Sequence, residues 1–139
     1  MTDPKLPPIN HLPEDAGEYA EGLTRILNRF PEGWGRWIDV GRGWYPLIVE
    51  LDRQITEVVP TYDIYQVKEK FGGLRFYIGP LTPDVFPLVH NLINAAEARS
   101  YHTCEVCGVE GNQVTTEGTG WVTSRCPECH QKPTQMGKF

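Results

Sequence analysis

The spacing of four cysteines constrains this chain more than any other feature. Cys104, Cys107, Cys126 and Cys129 form a C-x2-C-x18-C-x2-C pattern, and they are its only cysteines. A C-x2-C turn lets two thiolates converge while local N–H groups support the sulfurs. Two such turns supply the four soft donors of a tetrahedral zinc site. Gly108 directly after the first pair permits a tight knuckle, and Pro127 stiffens the second. Four thiolates close the coordination sphere, so the metal is structural rather than catalytic.

His102 and His130 flank the cysteines and are read as neighbours of the site, with an exchange of one Cys for His left open. Two disulfides, or a rubredoxin-like iron site on the same thiolates, are the alternatives. The first 22 residues contain no apolar signal-peptide core, so the expected compartment is a reducing cytoplasm, where thiols bind metal more often than they pair. Gln113–Thr115 and Trp121–Ser124 are predicted as two short strands between the pairs, a zinc-ribbon arrangement. Pro133 and the nearby chain end leave little room for the helix of a treble clef.

Such a segment cannot build a core of its own and uses the metal as a staple. The rest of the 139 residues are enough for one further domain. Forty per cent hydrophobic residues, including five Phe, six Tyr and four Trp, can fill a core. The organisation predicted is an extended Pro-rich arm over residues 1–12, an α+β domain over 13–100 and a zinc-ribbon module over 101–139. No run of 18 apolar residues exists, so no transmembrane helix and no membrane partner are expected. A formal net charge of −5 makes a phosphate backbone an unfavourable default partner.

Within 13–100 three helices are predicted. The first starts at Pro13 and carries Tyr19, Leu23, Ile26, Leu27 and Phe30 as one stripe until Pro31. The second starts at Pro46 and buries Leu47, Ile48, Leu51, Ile55 and Val58 before Pro60. The third begins between Thr82 and Pro87 and presents Leu88, Val89, Leu92, Ile93 and Ala96 up to Ser100. Between the first two lies GWGRWIDVGRGW, residues 33–44. It is too Gly-rich for a regular element and too aromatic for a solvated loop. It reads as a structured loop whose Trp rings cap the core, or as a recognition surface using Trp34, Arg36 and Arg42.

KEKFGGLRFYI, residues 68–78, reads as a hairpin. A two-residue turn at Gly72-Gly73 sets Phe71 opposite Leu74, Lys70 opposite Arg75 and Glu69 opposite Phe76. Tyr65, Val67, Phe71, Leu74, Phe76 and Ile78 then share the inner face with Glu69. Gln66, Lys68, Lys70, Arg75 and Tyr77 share the outer one. An inward carboxylate needs a partner, and Arg36, Arg42, Arg99 or a Trp indole are the candidates for a buried ion pair or hydrogen bond to Glu69. A three-residue loop, pairing Glu69 with Arg75, is the alternative. The outer face is the one concentrated basic patch, and Lys68, Lys70, Arg75 and Tyr77 are its candidate partner-binding residues.

GRGWYPLIVEL, QVKEKFGGLRFYI, AEARSYHTCEVCG and GWVTSRCPECH, in that order, resemble segments of small proteins found in bacteriophage and prophage genomes that carry a C-terminal zinc-binding module. The likeness covers roughly residues 41–130. It departs at Arg42, where the pattern carries an acidic residue. The resemblance implies a small accessory protein acting inside a bacterial cell on a host protein, and it transfers no activity.

The fold expected is therefore α+β: an antiparallel β-hairpin packed by about three helices, followed by a small C-terminal zinc ribbon. The function expected is a non-enzymatic, zinc-stabilised, protein-binding accessory factor, phage-encoded and modulating host nucleic-acid or defence machinery. A nucleic-acid binder using the basic hairpin face is one alternative. A metal-dependent nuclease is the other, from Glu57, Asp63, Glu69 and Lys68, although Gln66 stands where such a site wants an acid.

Overall fold

The computed structural model describes residues 10–118 and 120–131. It is an α+β arrangement of four helices and small two-stranded sheets. β1 (Asn10–His11) pairs in parallel with β2 (Arg36–Trp37). The Pro-rich residues 1–9 of the expected arm lie outside the described residues.

The first helix starts later than its Pro13 signal. Gly17, at φ +53°, forces a turn, and a 3-10 segment Gly17–Tyr19 leads into α1 (Ala20–Leu27). Leu23, Ile26 and Leu27 are buried as the 3.6-residue period requires, and Phe30 follows them into the core. α2 (Tyr45–Val58) begins one residue before Pro46 and ends before Pro60. It buries Leu47, Ile48, Leu51 and Ile55. α3 (Phe86–Ser100) starts at the later of its two predicted sites. It buries Val89, Ile93 and Ala96, whereas Leu88 is exposed, one residue outside the stripe.

β3 (Ile64–Lys70) and β4 (Gly73–Ile78) form the hairpin, but the turn is Phe71-Gly72 rather than Gly72-Gly73. Val67 faces Phe76, Lys68 faces Arg75, Glu69 faces Leu74 and Lys70 faces Gly73. Phe71 and Gly72 both take positive φ, +56° and +86°, as this turn class demands. The expected register is thus corrected by two partner positions. Gly73 explains why the strained Phe71 is tolerated: a Cβ there would run into the ring of Tyr101. Keeping Gly73 in the strand lets the helix end close over the sheet, where Ser100 Oγ accepts the Leu74 N–H at 2.9 Å.

The inner face holds Ile64, Val67, Leu74 and Phe76, all buried. Two residues expected there are not. A register irregularity between Ile64 and Gln66 turns Tyr65 outward, and Phe71 sits on the turn with 67% of its surface exposed.

A polar knot ties α1, α2 and the start of β3 together. Asp52, almost fully buried on α2, accepts Arg29 Nε at 2.7 Å and the Tyr62 hydroxyl. Arg29 also donates to Thr56 Oγ1 at 2.9 Å, lies 4.4 Å from the Tyr62 ring centroid, and lends its carbonyl to Ile64 N–H at 3.0 Å. A buried carboxylate with this many donors stays charged at a tolerable cost.

Candidate metal centre and the surface beside it

After α3 the chain turns through Thr103 into the first cysteine knuckle. Cys104 N–H donates to Val109 O at 2.8 Å, and Gly108 N–H donates to Cys104 O at 2.9 Å. Gly108 takes φ +87°, the conformation its place after the pair demands. Two short strands, β5 (Thr115–Glu117) and β6 (Thr123–Arg125), pair antiparallel between the knuckles. They sit one or two residues later than predicted. α4 (Pro127–His130) is a single turn that starts at Pro127 and carries Cys129. Pro133, Lys132 and Lys138 lie outside the described residues.

The fold brings the Sγ atoms of Cys104, Cys107, Cys126 and Cys129 within 4.8 Å of one another. Cys107 and Cys126 are 3.8 Å apart at sulfur. A tetrahedron with metal–sulfur bonds of about 2.3 Å has sulfur–sulfur edges of about 3.8 Å. The donor set therefore fits one metal ion. Burial acts to raise the Cys104 thiol, but the N–H groups of Cys107, Cys126 and Val106 prevail and hold it at about 6. Burial and the neighbouring thiols push Cys129 up to about 12. Four sulfurs converging this closely are a demand for a cation. His102 is exposed, and His130 Nε2 contacts Thr115 O at 2.8 Å. Neither belongs to the cluster.

The knuckle is locked to the Gly/Trp loop. Trp44 is fully buried and its indole N–H donates to Thr103 O at 2.8 Å. Gly43 N–H donates to Glu105 O at 2.8 Å, and Gly41 N–H donates to the Glu105 carboxylate at 2.9 Å. Ser124 Oγ donates to Gly72 O at the hairpin turn at 2.6 Å. The loop thus divides its three tryptophans: Trp44 caps the core, while Trp34 and Trp37 are exposed.

Glu69 faces inward, yet the buried ion pair expected for it is not formed. Its carboxylate accepts the Gly72 N–H at 2.7 Å, closing the turn. Among the described residues it makes no salt bridge. Removal from water raises its pKa above the usual range; the Gly72 N–H opposes this, and Asp39 adds to it. The Trp loop does reach β3, but through backbone: Asp39 N–H donates to Val67 O at 3.0 Å and Asp39 O accepts Glu69 N–H at 3.1 Å. The candidate arginines point elsewhere. Arg36 donates to Asn28 Oδ1 at 3.4 Å, Arg42 to Asp15 O at 3.3 Å, and Arg99 pairs with Glu110 at 2.7 Å.

The basic patch is narrower than its sequence. Lys68 and Arg75 are cross-strand neighbours, but Arg75 pairs with Glu97 of α3 at 2.7 Å. Lys70 and Tyr77 are exposed. Arg36 and Arg42, engaged as above, do not join this face. On the other flank of β3 the exposed rings gather: His11 stacks on Trp37 at 3.7 Å with planes 2° apart, and Trp34 lies 4.6 Å from Tyr65. Asp39, which carried no signal in the sequence, and Gln66, read there only as a member of the outer hairpin face and as a missing nuclease acid, border these rings; a parallel contact between the loop and β3 brings them there. No helix among the described residues is long and apolar enough to cross a membrane. Compared with protein-family models, curated proteins and solved structures, the chain gives no match.

Proposed function

We propose that this chain is a non-enzymatic, protein-binding accessory factor stapled by one structural zinc ion in a ribbon-like module. Its resemblance to phage and prophage proteins supports a phage-encoded origin and a host protein in the bacterial cytoplasm as the partner. The observation that carries the reading is the exposed aromatic cluster. Trp37, with 57% of its surface exposed, is braced by His11, and Trp34, with 48% exposed, is braced by Tyr65. Large rings held on fixed backbone lose little freedom on binding, and Trp dominates interface hot spots. The closed four-sulfur set supports a structural metal, and zinc suits it best because zinc takes four thiolates without redox chemistry.

Two features weigh against the alternatives. Glu69, the central acid of the nuclease reading, is taken up by the hairpin turn. Arg75 is neutralised by Glu97, which leaves the basic face too thin for a polyanion beside an overall charge of −5. The test is affinity capture from bacterial lysate with the metal-loaded chain. A stoichiometric partner retained in high salt and lost with Trp34→Ala or Trp37→Ala supports the reading. Capture confined to nucleic acid, or capture indifferent to both tryptophans, overturns it.

A further inference from the structure

The contact between the Trp loop and β3 is a single bridge, Asp39 opposite Lys68. Beyond it the two segments part and enclose a cleft of about 290 Å³, lined by Phe30, Trp37, Asp39, Tyr65, Gln66 and Lys68 among others. Its walls are built rather than incidental. His11 covers one face of Trp37 and holds the indole in place, and Trp34 supports Tyr65. Phe30 is buried beneath them as part of the core.

The cleft is lined by one acid and one base, Asp39 and Lys68. Asp39 is an exposed residue and, among the described residues, forms no salt bridge. Glu69 lies close enough to Asp39 to feel its charge. Lys68 is the one cation lining the cleft. Aromatic faces attract cations, and a planar cation can stack on them while its edge meets a carboxylate.

We propose that this cleft receives an arginine side chain from an extended segment of the partner polypeptide. The guanidinium stacks between Trp37 and Tyr65 and pairs with Asp39, the Gln66 amide oxygen accepts a further N–H, and Lys68 meets a carbonyl of the segment that carries the arginine. The volume accommodates one long side chain and not a folded element. A lysine ammonium offers no plane to stack, and an anionic ligand meets the Asp39 carboxylate and the negative faces of the rings. The assignment rests on the protein-binding reading above and names the chemistry of the partner.

The test uses the metal-loaded full chain and three capped tripeptides, acetyl-Gly-Arg-Gly-amide and its lysine and citrulline counterparts. Citrulline keeps the shape of arginine and removes the charge. Binding is read from the Trp37 indole and Gln66 side-chain amide resonances, with adenosine monophosphate as a nucleotide probe. Saturable shifts with the arginine peptide, at least about tenfold weaker with citrulline and with lysine, are expected. Asp39→Asn and Trp37→Ala should each weaken binding by about tenfold. Both positions are exposed, so the thermal midpoint of each variant should stay close to that of the parent chain. No saturable shift, equal response to citrulline, or preference for the nucleotide overturns the assignment. If the arginine peptide fails while lysate capture still depends on Trp34 and Trp37, this inference falls and the protein-binding reading stands. If the peptide binds and no protein partner is captured, the arginine chemistry of the cleft stands, and its assignment to a partner polypeptide falls together with the protein-binding reading.

Discussion

The carbonyl of Glu105 accepts the Gly43 N–H at 2.8 Å, so a residue inside the first cysteine knuckle holds the backbone that carries Trp44. The Glu105 carboxylate repeats the connection by accepting Gly41 N–H, and its own N–H donates to Ser124 O on β6 at 2.9 Å. Knuckle, ribbon strand and aromatic loop therefore share one hydrogen-bond junction, and whatever orders the cysteines also orders the loop.

Metal removal should be felt at Trp44. Structural zinc sites of this kind contribute on the order of 10 kcal/mol of apparent binding free energy. Stripping the ion with a strong chelator should release residues 101–131 and shift the tryptophan emission to the red, while the helical signal of α2 and α3 largely persists. Elemental analysis of the purified chain should give about one zinc per chain. Iron in its place, or two intact disulfides and no metal, would be a different site. Cys126→Ser should reproduce the chelated state.

Gly43 is the tightest point of the junction. A Cβ there would collide with the backbone oxygen of Cys104 and approach Gly108 N to 2.6 Å. Backbone on both sides leaves nothing that can swing away. Gly43→Ala should therefore lower the stability to chemical denaturation by about 1–3 kcal/mol, the usual cost of overpacking, and weaken retention of the metal as well. Gly33→Ala is a control for space, since no atom lies within 4 Å of its Cβ position, although its φ of +89° carries a strain of its own.

The parts legible in the sequence were those in which one local rule decides the outcome. Cysteine spacing anticipated the four-sulfur cluster because two short turns suffice to build it. Proline and apolar period placed α2 within a residue, and α3 at the later of two starts. The hairpin shows where such rules stop. Sliding the pairing by two positions leaves every paired side chain on the same face, so alternation put Val67, Leu74 and Phe76 on the inner face, although it misplaced Tyr65 and Phe71, and it could not distinguish a turn at Gly72-Gly73 from one at Phe71-Gly72. A contact outside the hairpin, Tyr101 over Gly73, decides it. The pairing of Asp39 with Gln66 was invisible for the same reason: only the tertiary run of the Trp loop along β3 makes them neighbours of one cleft.

The Asp52 knot should behave as a unit. Asp52→Ala leaves the largely buried Arg29 guanidinium without its partner and should cost about 3–5 kcal/mol. Tyr62→Phe removes one hydroxyl donor from a carboxylate that keeps others and should cost about 1–2 kcal/mol. Combining Asp52→Ala with Arg29→Ala should cost less than the sum of the single changes, because the second substitution removes the stranded charge. Strict additivity in urea denaturation would mean that the pair is screened by water and not a knot at all.

Glu69 yields a pH dependence of defined sign. Removal from water raises its pKa above the ordinary 4.5, with the Gly72 N–H as the opposing influence. A carboxylate whose folded pKa is raised binds more protons in the native than in the unfolded state. Its contribution therefore falls as pH rises from 4.5 through the raised folded value. Glu69→Gln keeps an oxygen to accept the Gly72 N–H and does not titrate. The stability difference between variant and parent chain should thus move in favour of glutamine as pH is raised from 4 to neutrality and then level off. Chemical denaturation at a series of pH values measures this directly. A difference that moves the opposite way would mean that a cation neutralises Glu69 after all, as the sequence led one to expect.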